Sequence, residues 1–228
     1  MQTVKEMTGV PSVEERASQS QGISNDAILN MVVAALDRRK ISGACVVDVG
    51  CGAGNFYHFV RDRFSRYVGV DAVQYEGFPR QAEFCHLDLD GGGIPLPDAS
   101  ADVVAAIEVI EHLENPRDFM RKLVRLVRPG GWIVVTTPNQ LSLLSIATLL
   151  TKHRFQAFQD VHYPTHLTAL LEVDLRRIAG ECGLGSIAIE YSCSGRIPLT
   201  NRHYPRMWSR RWPSAFSENV LVIGQRKD

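Results

Sequence analysis

The chain has 228 residues, 45% of them hydrophobic and 22% charged, with 25 basic residues balanced by 25 acidic ones. That is enough apolar material for a globular domain with a proper core, and a formal charge of zero offers no global field for recruiting nucleic acid or a membrane. Cys45, Cys51, Cys85, Cys182 and Cys193 lack metal-type spacing and read as small buried hydrophobes in a reducing compartment. The N-terminus shows no apolar signal region and no apolar run is long enough to span a bilayer, so the expectation is a cytoplasmic protein.

In chain order, residues 1–23 read as a loose polar arm and 24–228 as a single domain. Ser24 is placed to cap a helix reaching about Lys40, with Ile28, Leu29, Val32, Val33 and Leu36 on one face. The β-branched run Val46-Val47-Asp48-Val49 reads as a buried parallel strand. It breaks into Gly50-Cys51-Gly52-Ala53-Gly54, where the missing Cβ atoms let the backbone turn tightly against a ligand, and the chain turns helical through 55–60. A second strand, 67–71, ends in Asp71, about 20 residues past the first glycine; in a doubly wound sheet that place lies beside a bound ribose. Residues 84–89 predict a third strand and 103–107 a fourth.

Asn115 and Pro116 cap and open a helix with Phe119, Met120, Leu123, Val124 and Val127 inward, stopped by Pro129-Gly130-Gly131. A fifth strand runs on toward Asn139. An insertion over 139–166 begins with a short apolar helix at about 141–151; the segment is placed either as a lid over the site, its helix packing inward or touching a lipid-like surface, or as ordinary core packing. A helix at about 168–182, a strand at 187–191, a loop at 194–216 and a last strand at 219–224 complete the chain.

Four of these segments carry a resemblance. The G-x-G-x-G spacing of residues 50–54 differs from the dinucleotide fingerprint, whose third glycine comes one residue later. Together with the strand ending in Asp71, the segment Ile94-Pro95-Leu96-Pro97-Asp98 leading to Asp102, and the run from Arg128 to Asn139, it resembles the class I S-adenosylmethionine (SAM) methyltransferases. The resemblance implies a Rossmann-like α/β fold with seven mostly parallel strands, helices on both faces and a last strand inserted antiparallel. It implies SAM as cofactor, with Asp48 near the methionine moiety and the backbone of Gly50, Cys51 and Gly52 passing around it. Asp71 would accept the ribose hydroxyls, Asp88 would meet the adenine amino group and the Leu89 amide a ring nitrogen, with Asp90 as substitute for Asp88.

Glu108-Val109-Ile110-Glu111-His112 follow the fourth strand, at the end where such sheets bind ligands. Their spacing would put Glu108, Glu111 and His112 on one side of a helical turn. This run resembles the ubiquinone-pathway O-methyltransferases and the small-RNA 2′-O-methyltransferases. In the latter an E-x-x-E-H set and a distant histidine hold Mg2+, and His166 occupies the matching place here. The resemblance therefore implies Glu108, Glu111, His112 and His166 as candidate ligands of Mg2+ or another divalent metal. Two other readings stand beside it: His112 or His166 as a metal-free base, with a glutamate orienting the cofactor's methionine end, or packing alone. His162 is a weaker candidate.

The loop at 194–216 carries five arginines and no acid, interleaved with Tyr204, Trp208 and Trp212, which suits a phosphate and a ring to stack on as well as a solvated surface. Its Gly195-Arg196-Ile197-Pro198-Leu199 resembles loops of methyltransferases in bacterial glycan assembly. The expectation is methylation of a hydroxyl on a small-molecule or glycan-type acceptor, including phosphate-bearing ones. The alternatives are a metal-dependent RNA-terminal 2′-O-methyltransferase, for which a basic stripe beyond that loop is missing, and a non-catalytic SAM-binding protein, against which the acids at 71, 88, 108 and 111 argue.

Overall fold

Side-chain alternation along the central strands sets the layers. The computed structural model describes Gly22 and residues 24–228, so the arm expected over 1–23 lies, Gly22 apart, outside the described residues. The helices are α1 (Asp26–Arg38), α2 (Tyr57–Val60), α3 (Pro116–Leu126), α4 (Leu143–Lys152), α5 (Glu172–Glu181) and α6 (Arg206–Arg211). The strands are β1 (Gly43–Val49), β2 (Phe64–Asp71), β3 (Glu83–His86), β4 (Ala101–Ile107), β5 (Val127–Pro138), β6 (Leu184–Tyr191) and β7 (Asn219–Arg226). They form one seven-stranded sheet in the order β3-β2-β1-β4-β5-β7-β6. β7 runs antiparallel to both β5 and β6, as expected for an inserted last strand.

Val47, Val49, Val104 and Ala106 face one way, into a core built with Phe119, Leu123, Leu175 and Ile178 of α3 and α5. Val46, Val103, Ala105 and Ile107 face the other, under Leu29, Val32 and Leu36 of α1. Both faces of the parallel strands are covered, which is why they read as continuous apolar runs. Strand order reverses between β1 and β4, opening a crevice beyond their C-terminal ends.

Several boundaries differ from expectation, each for a local reason. α1 is capped by Asn25, not Ser24: the Asn25 side chain accepts from the Ala27 amide at 2.8 Å. Met31 takes the buried place expected for Val33. α3 ends at Leu126 and passes straight into β5, so Pro129-Gly130-Gly131 does not stop a helix. Instead these residues are looped out where the β4–β5 register jumps from Ala101↔Val127 to Val103↔Trp132, with Gly130 at φ +72°. β3 stops at His86 because the chain has turned by Asp88, whose carboxylate accepts from the Asp90 amide at 3.0 Å. α5 starts only at Glu172, since the Thr168 amide and hydroxyl are committed to the carbonyls of Glu111 (3.0 Å) and Leu113 (3.0 Å).

Candidate active site

A cavity of about 700 Å³ opens at the crevice between the C-terminal ends of β1 and β4, and every candidate residue of the cofactor and catalytic sets lies on its wall. Its floor is the glycine turn after β1. Gly50 has φ +76°, and a Cβ there would stand 2.3 Å from Val109 Cγ2. Gly52 has φ +51°, and a Cβ there would stand 2.2 Å from the Gly22 carbonyl oxygen. Both positions combine a left-handed backbone with a space no side chain can enter.

Two carboxylates frame this turn. Asp71 Oδ2 accepts the Gly52 amide at 2.8 Å and Oδ1 the Val73 amide at 3.2 Å, which ties the end of β2 to the glycine turn. Burial raises the Asp71 carboxyl above its ordinary range, with those amides pulling the other way. Asp48 is buried, and its Oδ2 accepts a hydrogen bond from the Tyr67 hydroxyl while Oδ1 has no partner among the described residues. Burial pushes this carboxyl up to about 7, against the Tyr67 bond. Tyr67 escaped the sequence reading because its contact with Asp48 depends on β1–β2 register, Val46 lying opposite Tyr67. Burial raises the Cys51 thiol far above its usual range, so this residue fills space and is no nucleophile.

At the other end of the cavity Asp88 is exposed and Leu89 half-buried. Asp90 Oδ1 accepts the Glu114 amide at 3.2 Å, holding this loop to the turn after β4.

That turn departs from the expected helical geometry. Glu108 sits at φ +56° and is followed by a 3-10 turn, Ile110–His112. The Thr136 hydroxyl donates to Glu108 Oε1 at 2.8 Å, and Asn219 Nδ2 donates to Oε2 at 2.8 Å. Glu108 is thereby drawn toward β5 and β7. Glu111, His112 and His166 form a separate cluster, their ligand atoms within 4.8 Å of one another. The four-residue ligand set is thus not gathered: three members come together and Glu108 does not join them. Thr136 and Asn219 carried no local signal, since they reach Glu108 only through the sheet.

Glu111 is only 1% exposed, and among the described residues neither carboxylate oxygen has a hydrogen-bond partner. Burial raises its carboxyl, and burial raises Glu108 as well, with the neighbouring Glu111 charge adding to it. His112 Nδ1 lies 2.8 Å from the Thr165 carbonyl oxygen. A carbonyl only accepts, so Nδ1 carries the proton and Nε2 is the basic nitrogen of the neutral ring. His166 is delivered from the insertion, because the amides of Leu167 and Thr168 both bond the Glu111 carbonyl, at 2.8 and 3.0 Å. Its ring is 4.7 Å from that of His112 and stacks on His162 at 5.4 Å. Burial first, then His112, lowers His166 to about 4, which keeps it neutral, and its Nδ1 has no hydrogen-bond partner among the described residues.

The insertion supplies Val161, His162, Thr165 and His166 to the wall. The loop at 194–216 supplies none of the lining residues. It packs on the base of the insertion instead: Ala215 O accepts from the Leu143 amide at 2.8 Å, and Asn139 Nδ2 donates to Ser214 O and Ser217 O at 2.7 and 2.8 Å.

A reversed strand order with an inserted antiparallel β7, a left-handed glycine cradle and an acid closing β2 define the class I methyltransferase architecture. The chain belongs to the methyltransferase-domain family, whose model matches residues 25–188. It is 35% identical over 106 residues to a probable S-adenosylmethionine-dependent methyltransferase of Mycolicibacterium smegmatis, covering 45% of this chain and 41% of that one. It is 29% identical over 207 residues to a ubiquinone biosynthesis O-methyltransferase of Chromobacterium violaceum, covering 85% of this chain and 83% of that one. The chain spans less than half the length of several other curated relatives it matches. Among solved structures, a SAM-dependent methyltransferase from Archaeoglobus fulgidus superposes with a TM-score of 0.63 at 19% identity, covering 87% of this chain and 94% of that one. The cyclase SpnF superposes with 0.57 at 15% identity, covering 95% and 97%. At such identities the likeness is one of fold, and the chemistry has to be read from the site. SAM is the methyl donor of this family, and the cavity fits it: the glycine cradle excludes any Cβ, and Asp48 Oδ1 stands on the wall without a partner among the described residues.

Proposed function

We propose that the chain transfers the methyl group of SAM to a hydroxyl of a small-molecule or glycan-type acceptor, phosphate-bearing ones included. The observation that carries this reading is Glu111, buried on the cavity wall with both oxygens unpaired among the described residues and two imidazoles beside it. SAM supplies a methyl already activated on a sulfonium, so the protein has to align an acceptor atom with it, which supplies roughly 7–11 kcal/mol of the barrier. A hydroxyl must also lose its proton. A carboxylate whose pKa burial has raised, and the Nε2 of His112, are bases suited to that task. Asp48 and the backbone of Gly50, Cys51 and Gly52 hold the methionine end, with Glu108 near it. Asp71 takes the ribose, and Asp88 and the Leu89 amide take the adenine. The likeness to a ubiquinone biosynthesis O-methyltransferase over 85% of the chain supports oxygen as the acceptor atom.

A second reading rests on the same cluster. A carboxylate with two unpaired oxygens, a neutral His166 with an unpaired nitrogen and the basic nitrogen of His112 make a donor set that fits a divalent cation. Such an ion lowers the pKa of a bound hydroxyl, which suits diol or ribose acceptors such as an RNA terminus. Mg2+ prefers all-oxygen surroundings, so this set favours a softer divalent ion.

The test is formation of S-adenosylhomocysteine against a panel of phenols, catechols, sugar nucleotides and short RNAs, with and without chelator, for the wild type and Glu111→Gln. Turnover that survives chelation and is lost in Glu111→Gln supports the base reading. Turnover that a divalent ion restores after chelation supports the metal reading. Cofactor binding with no turnover on any acceptor identifies a non-catalytic SAM-binding protein.

A further inference from the structure

Helix α4 is built inside out. Its two buried residues both carry hydroxyls: Ser145 is 2% exposed and Thr148 7%. They are used internally, Ser145 Oγ accepting the Gln156 amide at 3.2 Å and the Thr148 hydroxyl bonding Leu144 O at 2.7 Å and Gln156 Oε1 at 3.0 Å. The opposite face, Leu143, Ile146, Ala147 and Leu150, has the spacing of an apolar helix stripe; Leu143 and Leu150 are exposed, Leu150 to 75%, with Ile146 and Ala147 half-buried between them. A water-facing helix has the reverse arrangement.

The neighbouring segment continues this surface. Ala215 bonds Leu143, and Phe216 beside it packs against the rings of Trp208 and Trp212, which are themselves exposed along with Met207. Charge is segregated here as well. Residues 139–166 and 194–216 together hold seven Lys and Arg against one acid, Asp160, although the whole chain is neutral. Asp160 is paired with Arg154. Arg206, Arg210 and Arg211 are exposed and, among the described residues, in no ion pair.

We propose that α4 and the α6 segment form a docking surface for an anionic lipid membrane. Aliphatic side chains and tryptophans flanked by arginines that form no ion pair among the described residues match the acyl boundary and the phosphates of a membrane interface. An RNA would use the arginines and leave the leucine stripe in water. An apolar protein partner would use the stripe and not need the cations. Among the described residues no helix is long and apolar enough to cross a membrane, so the chain would lie on the surface. Val161, 82% exposed, belongs to the insertion and also lines the cavity, so docking would bring the cavity mouth to the lipid. This surface stands independently of which acceptor the cavity takes.

The experiment is co-sedimentation of the whole chain with vesicles of phosphatidylcholine alone or mixed with phosphatidylglycerol, read alongside tryptophan fluorescence. A Trp132→Phe background leaves Trp208 and Trp212 as reporters. Binding at least about tenfold tighter to the anionic vesicles is expected, with a blue shift, weakened by about tenfold in Leu150→Glu and in Arg206→Gln/Arg210→Gln/Arg211→Gln. Leu150 and the arginines are exposed, and melting curves confirm that the variants fold. Equal or absent binding to both vesicle types overturns the proposal. So does self-association or RNA binding that these variants abolish while vesicles remain unbound.

Discussion

The rings of His112 and His166 stand edge to face, 4.7 Å apart, because the amides of Leu167 and Thr168 both bond the carbonyl of Glu111. Residues from the turn after β4 and from the far end of the insertion are thus locked together by backbone, leaving their side chains to face the cavity.

From this pairing, His112→Ala is expected to lower turnover by at least about 10²-fold, with affinity for S-adenosylhomocysteine nearly unchanged. Initial rates and titration calorimetry check this. An affinity loss as large as the rate loss would move His112 into the cofactor pocket.

Asp71→Ala should weaken SAM binding by roughly 1.5–3 kcal/mol, the scale of lost hydrogen bonds to a charged group. It also strips the Gly52 amide of its partner at 2.8 Å, so the melting temperature of the free protein should fall. Unchanged affinity by calorimetry would remove Asp71 from the ribose site.

Gly50→Ala combines an unfavourable left-handed backbone with a Cβ 2.3 Å from Val109 Cγ2. The expected loss is about 2–4 kcal/mol in denaturant unfolding. Adding Val109→Ala should recover the steric part and leave the backbone part. A double variant no more stable than Gly50→Ala would show that the clash is not with Val109.

Burial raises Asp48 from 3.8 to about 7 in the folded chain, so between those values the folded state holds a proton that the unfolded chain releases. Its contribution to stability is fully present below pH 3.8 and is lost as pH rises through about 7. Asp48→Asn keeps an acceptor for the Tyr67 hydroxyl and removes this titration. The stability of the wild type relative to Asp48→Asn should therefore fall as pH rises from about 4 to about 7. Parallel stability curves for the two proteins would mean that Asp48 is ionised throughout.

What was legible in the sequence was what neighbouring residues decide. Val46, Val47 and Val49 mark a strand buried on both faces, and Gly50 and Gly52 mark a backbone that only glycine adopts. Asp71 closes a strand at a place that the parallel order fixes. These are short-range constraints of sterics and period, and they determined the sheet and the position of the cavity. Tertiary structure alone decided how the acids and histidines are shared out. Glu108 was expected beside Glu111, yet Asn219 reaches it only because β7 pairs antiparallel with β5, placing Asn219 opposite Pro138. His166 meets His112 through amides bonding a carbonyl far away in the chain, a contact with no local pattern. Likewise the arginine-rich loop packs on the base of the insertion because Asn139 finds the carbonyls of Ser214 and Ser217. Spacing specifies the backbone a residue sits on; which partners satisfy its polar atoms depends on strand register across the whole sheet.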